Sequence, residues 1–183
     1  MNKLLTMTAI GALLAMPAMA DTLRVGVATA QTGGLAPYDA PVIEGVHIAV
    51  DEINAAGGIG GKTMIELIEK DVRSDAEQTS IAAQELVDAG VSILVLPCDA
   101  DPSLAAIGIV ASAEIPAIST CASSPTLPMI GGEYMFANFP GDNVQATVSA
   151  TWAREQGYDS AYIIYSPDSQ YTTMPLYFKE VFE

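Results

Sequence analysis

Residues 91–102, which read VSILVLPCDADP, decide the fold of this 183-residue chain. The run from Val91 to Leu96 is apolar except for one serine, a pattern typical of a strand that is buried on both faces. Asp101 and Pro102 then place a helix-capping side chain before a proline, which suits the first helical position. The stretch therefore predicts a buried strand, a short polar loop and a helix, which is the repeating unit of a parallel sheet.

The same alternation of strands and helices continues on both sides of this unit. Short connections imply a parallel sheet flanked by helices, an α/β fold with three αβα layers. Such sheets bind ligands beyond the carboxyl ends of their strands, so the loops expected to matter are residues 30–39, 97–101 and 120–126. The predicted strands are 23–28, 63–69, 91–96, 116–119, 134–137 and 161–165, and the predicted helices are 40–56, 75–89, one opening at Asp101, 142–156 and 174–182.

The glycine-rich stretch from Ala56 to Thr63 matches a loose form of the phosphate-binding P-loop. A P-loop follows a strand and precedes a helix, because its phosphates face the amino end of that helix. Here the predicted order is reversed, with a helix before the glycines and a strand after them. We therefore interpret Gly57 and Gly58 as the residues that end the helix, since glycine adopts the left-handed conformation without steric cost.

The excess of acidic residues limits the kinds of partner that this chain can bind. The chain has 7 lysine and arginine residues against 22 aspartate and glutamate residues, a formal net charge of −15, and 50% of its residues are hydrophobic. This hydrophobic content excludes an acidic disordered tail. So few, dispersed cations argue against nucleic acid and against anionic lipid as partners.

The first 20 residues have the organisation of a cleavable signal peptide. Lys3 supplies the positive start, residues 4–16 form an apolar run, and residues 18–20 match the small-residue pattern of a cleavage site. The apolar run is shorter than the roughly 20 residues of a membrane-spanning helix. Cleavage leaves Asp21 as the first residue, with 6 cations, 22 anions and a net charge of −16. We expect a soluble, exported protein, most simply a periplasmic one.

Export places Cys98 and Cys121 in an oxidising compartment, where disulfides persist. Each follows a predicted strand closely, so the two sulfurs lie at one sheet edge if those strands are neighbours. A disulfide and two free thiols both remain open on the sequence alone. These cysteines and the distant His47 do not supply the three or four ligands of a zinc site, and we predict no metal and no cofactor.

Candidate catalytic residues are scarce. The sequence has no nucleophile-elbow pattern, and its single histidine lies far from the serine-rich residues 119–124. Its carboxylates are scattered over predicted helix faces and caps, where solvated surface charge is the ordinary interpretation. An exported hydrolase is therefore disfavoured, and we expect no enzyme activity.

Several stretches, in order along the chain, resemble the branched-chain amino-acid-binding proteins, the leucine/isoleucine/valine-type solute-binding proteins of ABC transporters. Together they cover nearly all of the chain after residue 20. The stretches are LRVGV (23–27), TGG (32–34), EG (44–45), AVDEINAAGGIGGK (49–62), 69–75, ELVDAGV (85–91), IPAIS (115–119), ASSPTL (122–127), 136–142 and 168–171.

This resemblance implies a type I periplasmic-binding-protein fold, in which two α/β lobes close on a ligand about a hinge. It places residues 21–140 in the first segment of ligand-binding lobe 1 and residues 141–183 at the start of lobe 2. Because family members are longer, the chain is expected to be an N-terminal fragment, with lobe 1 largely present and lobe 2 truncated.

The resemblance also implies ligand-binding positions. Tyr38 matches an aromatic residue that lies against the ligand side chain, and Tyr171 matches an aromatic residue of lobe 2. Cys121 and Ser123 match a loop that offers a backbone carbonyl and a hydroxyl to an amino-acid ligand. These four positions, together with Ala100 and Asp101, are the expected ligand-binding residues.

One implied position departs from the family pattern. The family serine that binds the ligand carboxylate corresponds to Ala100, which lies between Asp99 and Asp101. A carboxylate beside an anionic ligand group is repulsive, by about 1 kcal/mol per pair even in water. Either Asp101 caps the helix while Asp99 points to solvent, or the ligand is a neutral or cationic relative such as an amide.

The resemblance implies an extracytoplasmic solute-binding protein that binds an amino acid or a related small polar metabolite and delivers it to an ABC permease in the inner membrane. We expect a monomer with a small-molecule ligand and no nucleic-acid partner. The alternative on the same fold is a ligand-sensing receptor domain that feeds a signalling protein.

Overall fold

The computed structural model describes residues 21–165 and 169–183, so the predicted signal peptide at residues 1–20 lies outside the described residues. Strands and helices alternate from Asp21 onward, as the sequence predicts. The strands are β1 (Asp21–Thr29), β2 (Thr63–Asp71), β3 (Ile93–Leu96), β4 (Ala117–Ser119) and β5 (Met135–Ala137). The helices are α1 (Ala36–Ala55), α2 (Ala76–Asp88), α3 (Ala100–Ala113), α4 (Thr126–Gly131), α5 (Asp142–Glu155) and α6 (Ser169–Phe182), with a 3-10 turn at Gly132–Tyr134.

The five strands form one parallel sheet in the order β2-β1-β3-β4-β5. In its register Val25 lies opposite Ile93, Leu94 opposite Ala117, and Ala117 opposite Met135. The strand order reverses between β1 and β3, which makes this position the topological switch point. A parallel sheet flanked by helices confirms the predicted αβα architecture.

The main core lies between the sheet and helices α2 and α3. Its largest buried side chains include Leu86, Leu94, Leu96, Val110 and Leu127. Each stabilises the fold by about 2 kcal/mol through removal of apolar surface from water. Gly26 permits this close packing, because a Cβ there would lie 2.9 Å from Leu94 Cδ2 and 3.2 Å from Leu86 Cδ1.

Helix α1 begins at Ala36, earlier than the predicted residue 40, and ends before the glycines. Pro37 lies in its first turn, where a missing N–H costs no helical hydrogen bond. After the helix, Gly57 has φ 97° and its N–H donates to the Asn54 carbonyl. The glycines therefore follow a helix and precede β2, which confirms that they are turn residues and not a phosphate-binding loop.

Residues 161–165, which the sequence predicts as a strand, have no regular secondary structure. Tyr162 is 91% exposed and Ile164 is 87% exposed. A strand needs a neighbour for its backbone N–H and carbonyl groups, and no strand of the described residues pairs with this segment. The prediction was wrong because an apolar pattern does not by itself supply that neighbour.

Candidate functional site

The carboxyl ends of β1, β3 and β4 lie side by side, because these strands are neighbours in the parallel sheet. The loops that leave them comprise residues 30–35, 97–99 and 120–125. All three fall within the segments that the sequence predicts as ligand-binding loops. This edge, which contains the switch point between β1 and β3, is the candidate site.

A single carboxylate at the end of β2 holds the loop after β1. Asp71 accepts hydrogen bonds from the N–H groups of Gln31 at 3.0 Å and Thr32 at 3.1 Å, and from the Thr32 hydroxyl at 2.6 Å. The Arg73 N–H donates to the same carboxylate at 2.8 Å. Desolvation raises the pKa of Asp71, but these hydrogen bonds outweigh it and hold the pKa below the ordinary value of 3.8. The ionised form of Asp71 is therefore the one that the loop stabilises.

The β2–α2 connection holds the same loop through Ser74. The Ser74 hydroxyl donates to the Thr32 carbonyl at 2.9 Å and accepts from the Leu35 N–H at 2.8 Å. Gly33 has φ 89°, and a Cβ there would lie 2.6 Å from Ser74 Oγ. Glycine fits both the backbone conformation and the close approach, so the chain reaches α1 along a defined path.

Asp39, in the first turns of α1, joins the β1 loop to the β3 loop. Its carboxylate accepts from the Ala30 N–H at 2.6 Å and from the Cys98 N–H at 2.8 Å. The residue is 1% exposed. Burial raises the pKa of Asp39 above 3.8, the two backbone hydrogen bonds oppose this rise, and the negative charge of Asp99 adds to it. A buried carboxyl group therefore lies at the switch point.

A disulfide joins the β3 loop to the β4 loop. Cys98 and Cys121 are bonded to each other, with their Cα atoms 4.5 Å apart. Of the two states that the sequence left open, the structure contains the bridged one. The Ser119 hydroxyl adds a second connection, since it donates to the Pro97 carbonyl at 2.8 Å. Together with Asp39, these contacts join the three loops into one unit.

The amino end of α3 differs from the prediction. Asp99 is the N-cap residue, and its carboxylate accepts from the Asp101 N–H at 3.0 Å. The prediction that Asp101 caps the helix was wrong, because the helix already begins at Ala100. Ala100 is 1% exposed, so its methyl group is not part of the accessible surface, whereas Asp101 is exposed.

Ser123 lines a cavity of about 340 Å³ at the carboxyl ends of β4 and β5. Phe136, Phe139 and Asn143 also line it, and the two phenylalanines are about half exposed. The Ser123 carbonyl accepts from the Asp142 N–H at 2.8 Å, which holds the start of α5 against the β4 loop. Polar groups beside aromatic walls in a cavity of this size suit a small ligand with polar and apolar ends.

The two tyrosines of the predicted site have different outcomes. Tyr38 lies in the first turn of α1, next to Asp39, and is 62% exposed. Tyr171 lies in α6, but its side chain is outside the described residues. The predicted site residues that share the carboxyl edge of the sheet are Tyr38, Ala100, Asp101, Cys121 and Ser123.

A larger cavity, of about 480 Å³, lies elsewhere in the molecule. It is formed by residues 161–165 together with Met174, Pro175 and Phe178 of α6. Its walls are apolar, and none of its residues belongs to the loops after β1, β3 or β4. We therefore assign the candidate site to the cavity beside Ser123 and to the joined loops at the carboxyl edge of the sheet.

The described residues lack both a metal-ligating cluster and a membrane-spanning helix. Across residues 21–165 and 169–183, no group of three histidine, cysteine, aspartate or glutamate side chains is placed to hold a metal ion. In those residues, too, every helix is too short or too polar to cross a membrane. His47, the single histidine, is half exposed, and its Nε2 lies 2.6 Å from Glu69 Oε1.

Sequence reasoning missed Asp39 and Asp71 as residues that organise the site. The partners of Asp39 lie 9 and 59 residues away, and most of the Asp71 contacts lie about 40 residues away. No local spacing marks such contacts. The sequence offered one signal for each residue. Asp39 lies at the end of the predicted loop 30–39, and Asp71 closely follows the predicted strand 63–69.

Comparisons with known proteins extend these observations. A family model described as periplasmic binding protein matches residues 22–176. The leucine-, isoleucine-, valine-, threonine- and alanine-binding protein of Pseudomonas aeruginosa is 25% identical over 171 residues, which cover 93% of this chain and 46% of that protein. The chain thus spans about half the length of this curated relative.

Two solved structures show the same fold over the matched residues. The branched-chain amino acid transporter substrate-binding protein LivJ from Streptococcus pneumoniae, solved with isoleucine, is 33% identical with a TM-score of 0.68, over 74% of this chain and 39% of that chain. An ABC transporter substrate-binding protein from Desulfitobacterium hafniense, solved with Leu, is 27% identical with a TM-score of 0.76, over 88% of this chain and 47% of that chain.

Proposed function

We propose a transport function for this chain from the premise that it belongs to the periplasmic binding protein family. The comparisons confirm the resemblance to leucine/isoleucine/valine-binding proteins and the type I periplasmic-binding-protein fold. The family consists of substrate-binding proteins rather than enzymes. The function that we propose is that of an extracytoplasmic solute-binding protein of an ABC importer, which binds an amino acid or a related small polar metabolite.

The joined loops at the switch point carry this proposal. Asp39 and the Cys98–Cys121 disulfide hold three loops together at the carboxyl edge of the sheet. Ser123 lines a cavity of about 340 Å³ at this edge, and Tyr38, in the first turn of α1, is exposed. A preorganised site of this kind loses little conformational entropy when a small ligand binds.

The amino end of α3 supports a ligand group that is neutral or cationic where it meets this helix. The Asp99 carboxylate already accepts the Asp101 N–H, in the position where an anionic ligand group would otherwise bind the helix end. The Asp39 carboxyl group lies close enough for Asp99 to raise its pKa, so negative charge is concentrated here. We therefore propose that an amide, rather than a carboxylate, faces α3.

The division of the chain follows from the same proposal. Residues 21–140 form the first segment of ligand-binding lobe 1, and residues 141–183 begin lobe 2. The contact between the Asp142 N–H and the Ser123 carbonyl supports a ligand cleft at this junction, because it joins the start of α5 to a binding loop. The leader-like residues 1–20 support export to the periplasm, where a monomer would deliver its ligand to an ABC permease of the inner membrane.

Isothermal titration calorimetry on residues 21–183 tests this function with L-leucine, L-isoleucine and L-leucinamide. We expect saturable binding, tighter for L-leucinamide than for L-leucine. Ser123→Ala should weaken binding about tenfold, because it removes one hydroxyl from the site. Ser112→Ala is the matched control, since Ser112 is exposed on α3 and donates to the carbonyl of Gly108.

The possible outcomes separate the parts of the proposal. Absence of saturable heat with all three compounds would contradict the amino-acid-related ligand. Tighter binding of L-leucine than of L-leucinamide would contradict the amide and leave the binding function standing. Equal affinity of Ser123→Ala and Ser112→Ala would contradict the placement of the ligand beside Ser123.

A further inference from the structure

Asp39 does not act as an ordinary helix-capping residue. The N-cap position of α1 is Leu35, and no side chain caps that helix end. Both carboxylate oxygens of Asp39 instead accept hydrogen bonds from residues outside the helix, one from the Ala30 N–H and the other from the Cys98 N–H. The side chain thus bridges two loops that follow different strands, on the two sides of the switch point.

The burial of Asp39 is unfavourable for a single carboxyl group. Asp39 is the one residue of α1 that is fully buried, although the helix carries many apolar side chains. None of the ion pairs in the described part of the chain includes Asp39. A buried charge without a cation needs hydrogen bonds to offset the cost of desolvation, and here two backbone N–H groups offset part of it.

The two N–H groups belong to the loops that form the candidate site. Ala30 is the first residue after β1 and leads into the loop that Asp71 holds. Cys98 is bonded to Cys121, so a displacement of the Cys98 backbone is transmitted to the loop after β4. Asp39 also directly follows the exposed Tyr38 in α1.

We propose that Asp39 is the positioning residue that holds the β1, β3 and β4 loops in the arrangement that binds ligand. Its role rests on the proposed function, but it does not require that Asp39 touch the ligand. The ionised side chain accepts both N–H groups. Protonation adds a proton to one oxygen and makes that oxygen a weaker acceptor, so the hydrogen bond that holds one loop is weakened.

Nuclear magnetic resonance of the 15N-labelled chain 21–183 tests, without any ligand, whether Asp39 holds the Ala30 and Cys98 N–H groups together. We expect the amide signals of Ala30 and Cys98 to shift together as pH falls, with one common midpoint above 3.8, since burial raises the pKa of Asp39. Asp99, on the β3 loop, is the charged group that raises this pKa further. Asp99→Asn should therefore keep the common transition and lower its midpoint.

Substitution of Asp39 tests the consequence for binding. Asp39→Asn keeps the shape of the side chain but turns one acceptor into a donor, so the common transition should disappear and L-leucinamide binding should weaken at least tenfold. Asp51→Asn removes the same charge from an exposed position of the same helix. It should change neither the common transition nor the affinity for L-leucinamide. Wild-type and Asp99→Asn spectra remain decisive even if Asp39→Asn fails to fold.

Failure of this inference is distinguishable from failure of the proposed function. Amide signals of Ala30 and Cys98 that titrate with separate midpoints, or not at all, would overturn the role of Asp39. So would an Asp39→Asn chain that binds L-leucinamide as tightly as the wild type. A common transition in a chain that binds none of the three compounds would support Asp39 as the loop-positioning residue and overturn the proposed function instead.

Discussion

Residues 21–140 and residues 141–183 both carry many apolar side chains, but the two regions bury them differently. In the first region a five-stranded sheet and its helices enclose side chains such as Leu94 and Leu96 completely. In the second region α5 and α6 pack against each other, and the Thr173 hydroxyl donates to the Asp142 carboxylate. Residues 161–165 nevertheless remain exposed.

This difference shows what converts an apolar run into a strand. Residues 91–96 and residues 161–165 are both short and mostly apolar, and the sequence predicts a strand for each. The first run lies between β1 and β4, which accept and donate its backbone hydrogen bonds. The second has no such neighbours among the described residues, and its side chains are exposed.

The largest loss of stability is expected from a substitution in the core of the first region. Leu94→Ala should lower the free energy of unfolding by about 3 to 5 kcal/mol, because it leaves a cavity in a fully buried site. Ile164→Ala is the matched control in the second region and should change it by less than about 0.5 kcal/mol, since Ile164 is exposed. Urea unfolding measures both, and equal losses would contradict the contrast between the regions.

The disulfide should have the next largest effect. The Cys98→Ser, Cys121→Ser double variant removes a cross-link that spans 23 residues of the first region, so its free energy of unfolding should fall by about 3 kcal/mol. Unfolding with and without dithiothreitol measures the change. The reductant should destabilise the wild type by a similar amount and leave the double variant unaffected. A wild type that is insensitive to reductant would argue against a stabilising bridge.

Loss of the Asp71 contacts should cost less. Asp71→Asn should lower the free energy of unfolding by about 1 to 2 kcal/mol, because the amide cannot accept all the hydrogen bonds that the carboxylate accepts. Urea unfolding at neutral pH measures this loss, with Asp51→Asn as the exposed control. A variant as stable as the wild type would show that the β1 loop does not depend on Asp71.

The lowered pKa of Asp71 also predicts how the free energy of unfolding depends on pH. The pKa of Asp71 is lower in the folded chain than its ordinary value of 3.8, so its ionised form favours the folded state. Its stabilisation is therefore fully present above that ordinary value and is lost as pH falls through the lowered folded pKa. Unfolding measured from pH 7 to pH 2 should show this loss in the wild type and not in Asp71→Asn.

The smallest expected effects concern exposed ion pairs, one in each region. Arg24 lies 3.1 Å from Glu66 in the first region, and Lys179 lies 3.7 Å from Glu183 in the second. Arg24→Ala and Lys179→Ala should each change the free energy of unfolding by less than about 1 kcal/mol, because water screens exposed charges. Unfolding at low and high salt measures both, and a larger loss at Arg24 that persists in high salt would point to its contact with the Ala89 carbonyl.

Local patterns explain which parts of the fold were predictable. The strand before Pro97 and the helix stop at Gly57 follow from apolar periodicity and turn chemistry, which act over a few residues. The cap of α3 was misassigned because Asp99 and Asp101 both have the chemistry of an N-cap residue. The helix begins one residue earlier, at Ala100, and Ala100 is packed into the core. Local sequence preference does not predict this packing.

The candidate site was only partly predictable for a related reason. The loops at the carboxyl ends of the strands followed from the α/β pattern, whereas the ligand contacts of Ser123 and Tyr38 remain a prediction from the family resemblance. The residues that organise those loops did not. Asp39 reaches a partner 59 residues away, and Asp71 reaches one 40 residues away, so neither contact leaves a mark in local spacing.

The sequence by itself determined a parallel α/β sheet, the loops at the carboxyl ends of its strands and an acidic chain with a leader-like start, because hydrophobic period, turn residues and charge are properties of neighbouring residues. Only the tertiary structure decided that Asp39 joins the loops after β1 and β3, that Cys98 and Cys121 meet, and that residues 161–165 pair with no strand of the described residues. Each of these depends on which strands become neighbours. That order is set by packing across the whole chain, where buried polar groups must find partners.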